Sequence, residues 1–397
     1  MVVDDTTEFR IRCREFFAVL PESDDDRWVA GIGFQRRLAA AGLAGIAIPR
    51  EYGGQGLTTD HEEVLVEESR AHRLPTDVLT ITLGMCVPVL LAHGTEAQRR
   101  RHVPAMLRGD EIWCQLFSEP NAGSDVAAAQ LRAVRDGDEW VLDGQKVWTS
   151  SAERSAYGMC IARTDPDVPK HRGLTMFAVP MDTAGITIRP LVQATGELGF
   201  NEVFFDGVRL AANAVVGEPG HGWNVAISML MNERATLGAS ARSVASGSSA
   251  AVLAEARSVG GLGAVERQVL ADLYVREEIL RVTGLRIRSA TEQGRDPGPV
   301  ASIAKLAGSD LVRRSAAAHV ALRGAGGVAW PADDADTRAV ARAFVAAPGL
   351  SIAGGTSEIQ RTIVGERVLG LPREPEPDRG VAFRDVLQNA PGVGRRG

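Results

Sequence analysis

The chain has 397 residues, of which 45% are hydrophobic, and its formal net charge at pH 7 is -6. This length is enough for two or three domains with a substantial buried core. The acidic balance argues against a nucleic-acid-binding protein, which would normally present a basic face or arm. The basic residues include only three lysines (Lys146, Lys170 and Lys305), and we interpret the excess of arginine as the composition of a GC-rich bacterial genome.

The sequence contains no pattern typical of export, membrane insertion or metal binding. The first five residues are acidic and lack the apolar stretch of a secretory signal. No uninterrupted apolar run reaches the roughly 18 residues that a membrane span needs. The four cysteines form no CxxC pair and the seven histidines are dispersed. We therefore expect a cytoplasmic protein with no disulfide framework, no metal, and no membrane or nucleic-acid partner.

The N-terminal part of the chain is predicted to be helical. Thr95-x-x-Gln98 has the pattern of a capping box and predicts a helix that runs toward Leu107. A turn-rich segment over 48–56 separates this helix from the preceding ones. We assign residues 1–112 to an N-terminal all-α domain.

The middle of the chain alternates short apolar runs with turn signals, which predicts a small all-β domain over residues 113–215. Two apolar runs flank Asp143-Gly144, and this dipeptide predicts a hairpin because a type I′ turn needs positive φ at both central residues. A second Asp-Gly at Asp206-Gly207 gives the same signal. Further strands are predicted over 157–163, 174–180 and 202–205.

The last part of the chain returns to helical patterning. Four segments have helical length and apolar spacing, namely 223–245, 264–292, 299–322 and 357–369. They predict a four-helix bundle over 216–373. Residues 374–397 are rich in proline, glycine, arginine and aspartate, and we expect a disordered tail. The α–β–α order predicts the α+β class and not a parallel-sheet nucleotide fold.

Three segments could bind a ligand, although each also has an ordinary structural explanation. The loop from Leu116 to Asp125 is rich in small and hydroxyl residues and can wrap a flat, polar-edged cofactor, or form an interdomain turn. The segment from Lys146 to Ser150 places an indole and two hydroxyls at a strand end, or simply contributes to the core. The turn at 354–355 precedes a helix whose first N–H groups can bind a ligand, or are merely capped.

These motifs, taken in order, resemble those of the acyl-CoA dehydrogenase family of flavoproteins. The similarity lies in SEPNAGSD, GQKVWTS and GGTSEIQR, with IPREYGGQG and GTEAQRRRHVPAMLRGD in the N-terminal zone, and it spans about residues 5–373. The resemblance implies an N-terminal helical domain, a middle β-barrel or sandwich domain and a C-terminal four-helix bundle. It also implies FAD, an acyl-CoA substrate, an electron-transfer flavoprotein as electron acceptor, and either a homotetramer or an α2β2 heterotetramer.

The resemblance assigns residues to the cofactor. It implies FAD contacts at Leu116, Ser118, Gly123, Ser124, Trp148, Ser150, Arg257, Gln268, Thr356 and Glu358. Ser124 would also lie near the acyl-CoA, and Arg257 and Gln268 would serve the FAD of a partner subunit. Two residues depart from the family pattern, because Gly260 replaces a usual Phe and Ala321 replaces a usual Gln. We therefore expect the adenosine end of FAD to be held differently, as in a mixed tetramer.

The reaction that the family performs needs a carboxylate in a dry site to remove the α-proton of a thioester. Most members carry a Glu at the position of Gly354, which has no side chain. In isovaleryl-CoA dehydrogenase-like members the Glu comes from the first long helix of the C-terminal domain, and Glu233-Arg234 matches that arrangement. We predict Glu233 as the base and Arg234 as a substrate contact, the alternative being a solvated helix pair. The backbone N–H of Gly354 would bind the thioester oxygen.

The leading prediction is an FAD-dependent dehydrogenase of acyl-CoA thioesters. Three alternatives stay open: a non-catalytic or FAD-sharing subunit of a mixed tetramer, a dehydrogenase of carrier-protein thioesters, and an O2-using flavoenzyme of the same fold. The length and branching of the acyl group do not follow from the sequence.

Overall fold

A computed structural model describes residues 5–20, 26–72, 74–259, 261–293, 300–331 and 334–386. Inside the helices, it does not describe the side chains of residues 5, 234–248, 288, 291, 292 and 335–337. The chain divides into two compact units. The first consists of Met1–Leu191, Gly199–Met229 and Asp378–Gly397, and the second of Val192–Leu198 and Leu230–Pro377.

The first unit begins with five helices. They are α1 (Asp5–Ala18), α2 (Arg27–Ala40), α3 (Thr59–Ser69), α4 (Val87–His93) and α5 (Glu96–Arg108). The predicted capping box of α5 is confirmed, because the Thr95 hydroxyl accepts the N–H of Gln98 and the Gln98 side chain accepts the N–H of Thr95. The Gln98 amide also donates to the carbonyl oxygens of Asn213 and Val215, at 2.9 Å each. One side chain thus caps the helix and ties it to the end of the β region.

The same unit contains one mixed eight-stranded sheet. Its strands are β1 (Trp113–Leu116), β2 (Arg132–Asp136), β3 (Glu139–Ser150), β4 (Tyr157–Arg163), β5 (Leu174–Pro180), β6 (Ile186–Leu191), β7 (Phe200–Ala211) and β8 (Val215–Val216). The strand order is β6-β7-β3-β2-β4-β5-β8, with β1 paired to β4. The β1–β4 and β2–β4 pairs are parallel and the other pairs are antiparallel. The predicted β region is confirmed, and the strands predicted over 157–163 and 174–180 are β4 and β5.

The predicted hairpin turn at Asp143-Gly144 is wrong. Strand β3 runs straight through this dipeptide, and β7 runs through Asp206-Gly207 opposite it, with a register shift between them. The Asp143 carboxylate accepts the N–H of Gly207 at 2.9 Å. A Cβ on Gly144 would lie 2.8 Å from a methyl carbon of Leu131, so the glycine permits a close approach. The two Asp-Gly dipeptides therefore form the two sides of one β-bulge.

The second unit is helical. It contains most of α6 (Gly222–Val259), together with α7 (Ala264–Glu292), α8 (Val300–Arg323), α9 (Ala335–Leu350) and α10 (Ser357–Arg367). The predicted helical character is confirmed, but α6 extends well beyond the predicted end at residue 245, and α9 is not among the predicted helices. Helix α8 packs against α7, α9 and α10, and its buried Leu311 and Val312 join the apolar core of this unit.

The tail was predicted to be disordered over 374–397, and this is wrong for the segment around Phe383. That side chain is buried, and the Arg163 guanidinium lies 3.8 Å from its ring centroid. The N–H groups of Phe383 and Arg384 donate to the carbonyl oxygens of Val168 (2.9 Å) and Pro166 (3.0 Å). A single aromatic residue in a polar segment gives too weak a sequence pattern to predict this docking. Residues 387–397 lie outside the described part of the chain.

Candidate functional site

Residues 118–125, which carry the SEPNAGSD motif and are called the motif loop here, are anchored at their start by a buried ion pair. The Lys146 ammonium lies 2.7 Å from Glu119 Oε1, and neither side chain is exposed. Glu119 also accepts the N–H groups of Gln130 (2.6 Å) and Leu131 (2.9 Å). Because a buried charge is tolerated only when it is paired and hydrogen-bonded, these contacts fix the loop to β3.

A second lysine pairs with the other end of the motif loop. Lys170 Nζ lies 2.6 Å from the carboxylate of Asp125, in a more exposed position than the first pair. At the first residue of the loop, the carbonyl oxygen of Ser118 accepts the N–H of Val147 at 2.9 Å. Both acidic residues of the loop are thus occupied by lysines, so the loop offers ligands chiefly its backbone and its hydroxyl groups.

The tip of the motif loop is exposed. Gly123 and Ser124 are exposed, and no atom lies within 4 Å of a Cβ placed on Gly123. Within the described part of the chain, the N–H groups of Gly123 and Ser124 donate to no backbone carbonyl. Leu116, by contrast, is completely buried in the β core, so that only its backbone is available to a ligand. The tip therefore presents backbone donors that suit a carbonyl-edged ligand.

Trp148 combines a strained backbone with an exposed indole. It lies in a second irregularity of the β3–β7 pairing, between Lys146 and Thr149. Its φ is +59°, which is rare for a bulky residue and costs about 1–3 kcal/mol. Its side chain is 61% exposed and contacts the edge of Phe200, with ring centroids 5.9 Å apart. Strain that holds an aromatic ring in solvent is typical of a residue that stacks on a ligand.

Polar residues follow Trp148 along β3, and another polar residue lies opposite them on β7. Ser150 is half-buried, whereas Thr149 and Asn201 are buried and face each other across the β3–β7 pairing. Among the described residues, Thr149 Oγ1 and Asn201 Nδ2 have no hydrogen-bond partner. An exposed indole, unused loop N–H groups and hydroxyls fit a planar aromatic group with carbonyl edges, which is the chemistry of a flavin ring. The residues of the first unit therefore fit FAD.

The second unit contains the glycine turn predicted to bind the thioester oxygen. Gly354 and Gly355 have φ values of +65° and +91°. The buried Gln360 side chain donates to the carbonyl oxygen of Gly354 at 2.9 Å, and Lys305 Nζ donates to that of Gly355 at 2.7 Å. The Thr356 hydroxyl then accepts the N–H of Ile359 and caps α10. Two buried donors from α8 and α10 therefore fix the turn.

Glu233 lies on α6 in the same unit and is half-buried. Its carboxylate raises the pKa of Lys305 electrostatically, although burial of the ammonium has the larger and opposite effect. The structure thus brings Glu233 into the electrostatic environment of the ammonium that holds the Gly355 carbonyl. The side chain of Arg234, predicted to contact substrate, lies outside the described residues.

Glu358 occupies the first turn of α10 and is exposed. Hydrogen bonds from its own backbone N–H and from Thr356 lower the pKa of this carboxyl below its ordinary value, with a smaller contribution from Lys305. Its ionised form is thus stabilised at the helix N-terminus. The structure leaves its side chain accessible for the predicted contact with FAD.

Arg257 and Gln268 are both exposed, near the end of α6 and the start of α7. Exposed apolar residues follow Gln268 along α7 at Val275, Ile279, Val282 and Leu285. This spacing gives one helix face an apolar stripe in the single chain. Gly260, one of the two departures from the family pattern, lies outside the described residues.

The roles of the three lysines become visible only in the structure. Lys146 and Lys170 hold the motif loop, and Lys305 holds the glycine turn. Their rarity was a usable signal, since 44 basic residues include only these three. Genome composition alone, the interpretation given above, does not account for these three contacts. Their carboxylate and carbonyl partners are distant in sequence, however, and could be found only from the fold.

Comparisons with known proteins agree over most of the chain. The acyl-CoA dehydrogenase N-terminal, middle and C-terminal domain profiles match residues 4–110, 114–208 and 220–369. The chain is 37% identical over 396 residues to acyl-CoA dehydrogenase IpdE1 of Mycobacterium tuberculosis, covering 94% of this chain and 99% of that protein. It is 39% identical to acyl-CoA dehydrogenase FadE34 of the same organism, covering 90% of this chain but 47% of that longer protein.

Solved structures give the same result. The structure named Tcur3481-Tcur3483 steroid ACAD has a TM-score of 0.78 and 30% identity, covering 93% of this chain and 98% of that chain. The ChsE4-ChsE5 complex from Mycobacterium tuberculosis has a TM-score of 0.75 and 28% identity, covering 94% and 99%. Members of this family are FAD-binding flavoproteins, and no described helix here is long and apolar enough to cross a membrane. The three-domain match, the extent of the identity and a site that fits a flavin show that the chain belongs to the acyl-CoA dehydrogenase family.

Proposed function

We propose that the chain catalyses α,β-dehydrogenation of an acyl-CoA thioester with Glu233 as the base. The observation that carries this proposal is the shared environment of Glu233 and the glycine turn. The turn has no carboxylate at Gly354, yet Lys305, which donates to the Gly355 carbonyl, interacts electrostatically with Glu233. A half-buried carboxylate that acts electrostatically on the lysine holding the expected thioester-binding turn is suited to remove an α-proton.

Each chemical task of the proposed reaction has a group in this chain. The carboxylate of Glu233 accepts the α-proton, and the backbone N–H of Gly354 stabilises the negative charge that develops on the thioester oxygen. The exposed motif-loop N–H groups and the Trp148 indole bind and orient the cofactor. When bound, FAD supplies the acceptor for the β-hydrogen, which leaves as hydride. An electron-transfer flavoprotein is the proposed final acceptor of the electrons.

For the substrate, we propose a bulky, steroid-derived acyl-CoA. The support is the 30% identity to a solved structure named as a steroid acyl-CoA dehydrogenase, with nearly complete coverage of both chains. A straight-chain fatty acyl-CoA is the competing substrate class.

For the assembly, we propose a heterotetramer in which a second chain completes the FAD site. Two of the similar solved structures carry two-protein names, and FadE34 is about twice the length of this chain. Within this chain, Arg257 on α6 and Gln268 on α7 are exposed, and Gln268 precedes the apolar stripe of α7, as expected of groups that act in a partner's site. A homotetramer is the alternative, and equilibrium ultracentrifugation of the purified chain separates the two.

The test is anaerobic titration of the purified flavoprotein with straight-chain, branched and steroid-side-chain acyl-CoAs, followed by visible flavin absorbance. We expect bleaching by the steroid-side-chain thioesters and its loss in Glu233→Gln with FAD content unchanged. Near-normal bleaching in that variant would remove Glu233 as the base. Glu366→Gln, a change on α10 outside the proposed machinery, is the control.

The alternatives give different outcomes in the same titration. A yellow protein that no CoA thioester bleaches indicates a carrier-protein thioester, which is then tested directly, or an O2-using enzyme, which shows NAD(P)H- or substrate-dependent O2 uptake. A colourless protein that gains FAD only when produced with a second chain indicates a shared FAD site. If that complex still bleaches after Glu233→Gln, this chain is the non-catalytic subunit.

A further inference from the structure

Arg163 is a buried cation at the end of strand β4, and its side chain donates to backbone carbonyl oxygens. It is 4% exposed, and its guanidinium donates to the carbonyl oxygens of Ala127 (2.5 Å), Ala129 (3.2 Å) and Lys170 (2.6 Å). The donors of a guanidinium have a fixed planar arrangement, so carbonyls that bind it are fixed relative to one another. Arg163 therefore holds the backbone after the motif loop and the backbone of Lys170 in one arrangement.

The three acceptors lie on both sides of the outer ion pair of the motif loop, which joins Lys170 to Asp125 at 2.6 Å. Lys170 is itself an acceptor, and Ala127 and Ala129 follow Asp125 closely in sequence. The side chains of the pair are 29% and 53% exposed, and ion pairs with such exposure are normally weak. A weak pair can hold a loop only when it does not have to order the two backbones as well. Arg163 meets this condition.

Residues 378–386, called the tail segment here, cover the guanidinium. The ring of Phe383 is 6% exposed, and its centroid lies 3.8 Å from the guanidinium carbon of Arg163. An aromatic face attracts a cation through the ring quadrupole, most strongly where water is excluded. The N–H of Phe383 also donates to the carbonyl oxygen of Val168 at 2.9 Å, two residues before Lys170. The tail segment thus contacts both the guanidinium and the loop that carries Lys170.

We propose that Arg163 is a positioning residue for the motif loop and that the tail segment acts through it. The ring of Phe383 keeps the guanidinium in place, and the guanidinium holds the backbone that carries Lys170. Lys170 in turn fixes Asp125 at the end of the loop, so that the loop tip is ordered before FAD binds. This inference rests on the proposed contact between the loop tip and FAD, and it makes that contact depend on two distant segments of the chain.

The alternative is that Phe383 stabilises the first unit without any effect on the motif loop. The two explanations differ in how substitutions combine. If the tail segment acts through Lys170, loss of the ring has little further effect on the loop once the ammonium of Lys170 has been removed. Independent substitutions would instead multiply their effects on the dissociation constant.

The experiment is a double-substitution cycle in the full chain, with Phe383→Ala, Lys170→Met and the two combined. Arg163→Lys retains the positive charge but has too few donors in a fixed plane for the three carbonyls. Phe34→Ala removes an equally buried ring from the helical core of the same unit and is the matched control for lost stability. The measurements are the FAD affinity of the apoprotein, from flavin fluorescence, and hydrogen exchange of a peptide over 118–130, which needs no flavin.

We expect Phe383→Ala and Lys170→Met each to weaken FAD binding about fivefold and to speed exchange over 118–130. The double variant is expected to bind FAD within about twofold of Lys170→Met, because both substitutions act along one series of contacts. Arg163→Lys weakens FAD binding and speeds exchange in the same way. Phe34→Ala loses stability but leaves the FAD affinity and the exchange over the loop unchanged.

Unchanged exchange over 118–130 in Phe383→Ala overturns the inference, and so does an equal increase in Phe34→Ala. A double variant weakened by the product of the two single effects also overturns it. The same cycle is measured in exchange rates, so it applies to a chain that binds FAD only beside a partner and in the case that Arg163→Lys does not fold.

Failure of the proposed FAD contact gives a different result. If the loop exchanges faster in Lys170→Met while FAD affinity is unchanged, the motif loop does not hold the cofactor, and the proposed contact falls. If FAD affinity falls in Lys170→Met while Phe383→Ala changes neither measurement, the proposed contact stands and only the role of the tail segment is overturned.

Discussion

The Lys146 ammonium donates to a carboxylate oxygen of Glu119 at 2.7 Å and to the carbonyl oxygen of Phe117 at 3.0 Å, with the lysine completely buried. Lys146 is two residues before Trp148 on β3, and Glu119 is the second residue of the motif loop. One ion pair therefore links the two segments of the first unit that we assign to the flavin. Loss of this ion pair is expected to affect the motif loop and the Trp148 segment together.

Lys146→Met is predicted to destabilise the protein by about 3–5 kcal/mol, because it leaves the Glu119 carboxylate buried without its cation. FAD content falls in parallel. The free energy of unfolding is measured by urea titration of the apoprotein, and FAD by absorbance after gel filtration.

The double variant Lys146→Met/Glu119→Gln provides the check on this explanation. It removes the unpaired charge and leaves an amide oxygen that can accept one of the two N–H groups of Gln130 and Leu131, so it recovers part of the lost stability. A double variant as unstable as the single one would show that the ion pair is not the cause.

Two substitutions of Trp148 are predicted to weaken FAD binding alike but to differ in their effect on the stability of the protein. Trp148→Ala and Trp148→Gly both remove the indole and weaken FAD binding by at least tenfold. Glycine adopts the observed φ of +59° without strain, so the Gly variant should be more stable than the Ala variant by about 1 kcal/mol. Flavin fluorescence titration gives the affinity and urea unfolding gives the stability. Equal stability of the two variants would argue against strain at this residue.

The position of the base gives a rescue experiment. In the Glu233→Gln background, Gly354→Glu is predicted to restore part of the flavin bleaching by returning a carboxylate to the turn. Restoration stays partial because φ at residue 354 is +65°, which costs a non-glycine residue about 1–2 kcal/mol. Gly354→Ala in the same background carries the same strain without a carboxylate. The prediction fails if the Glu and Ala variants are equally inactive.

The docked tail segment is predicted to contribute to the stability of the first unit. Phe383→Ala removes a ring that is 6% exposed and that lies against the Arg163 guanidinium, at an expected loss of about 3 kcal/mol. Arg384→Ala removes an exposed pair with Asp167 and should change stability by less than about 1 kcal/mol. Similar melting temperatures for the two variants would mean that the docking contributes little.

The fold could be predicted from local patterns wherever the pattern had one explanation. The capping box at Thr95 and the apolar runs that became β4 and β5 are such cases. The Asp-Gly dipeptides were misread because a glycine that turns the chain and a glycine that permits close packing look the same in sequence. Gly144 belongs to the second kind, and only its contact with Leu131 reveals this.

The residues of the candidate site could be predicted by resemblance, but the contacts that hold them in place could not. Resemblance pointed to the motif loop, Trp148, Glu233 and Gly354, and their catalytic and cofactor roles stay predictions. The groups that hold these residues in place were not predicted, because the pairs Glu119–Lys146 and Gly355–Lys305 join residues 27 and 50 positions apart. Such pairs depend on the packing of whole elements, which a local pattern does not contain.

The scarcity of lysine has a practical consequence for handling the protein. Lys146 and Lys305 are buried, while Lys170 has a side chain that is 29% exposed. Reagents that couple to primary amines therefore have Lys170 as their accessible side-chain target in the folded chain. Because Lys170 holds Asp125 at the end of the motif loop, attachment to a sensor surface or a dye by this chemistry would place the label beside the proposed flavin site. Coupling through an introduced surface cysteine avoids this bias.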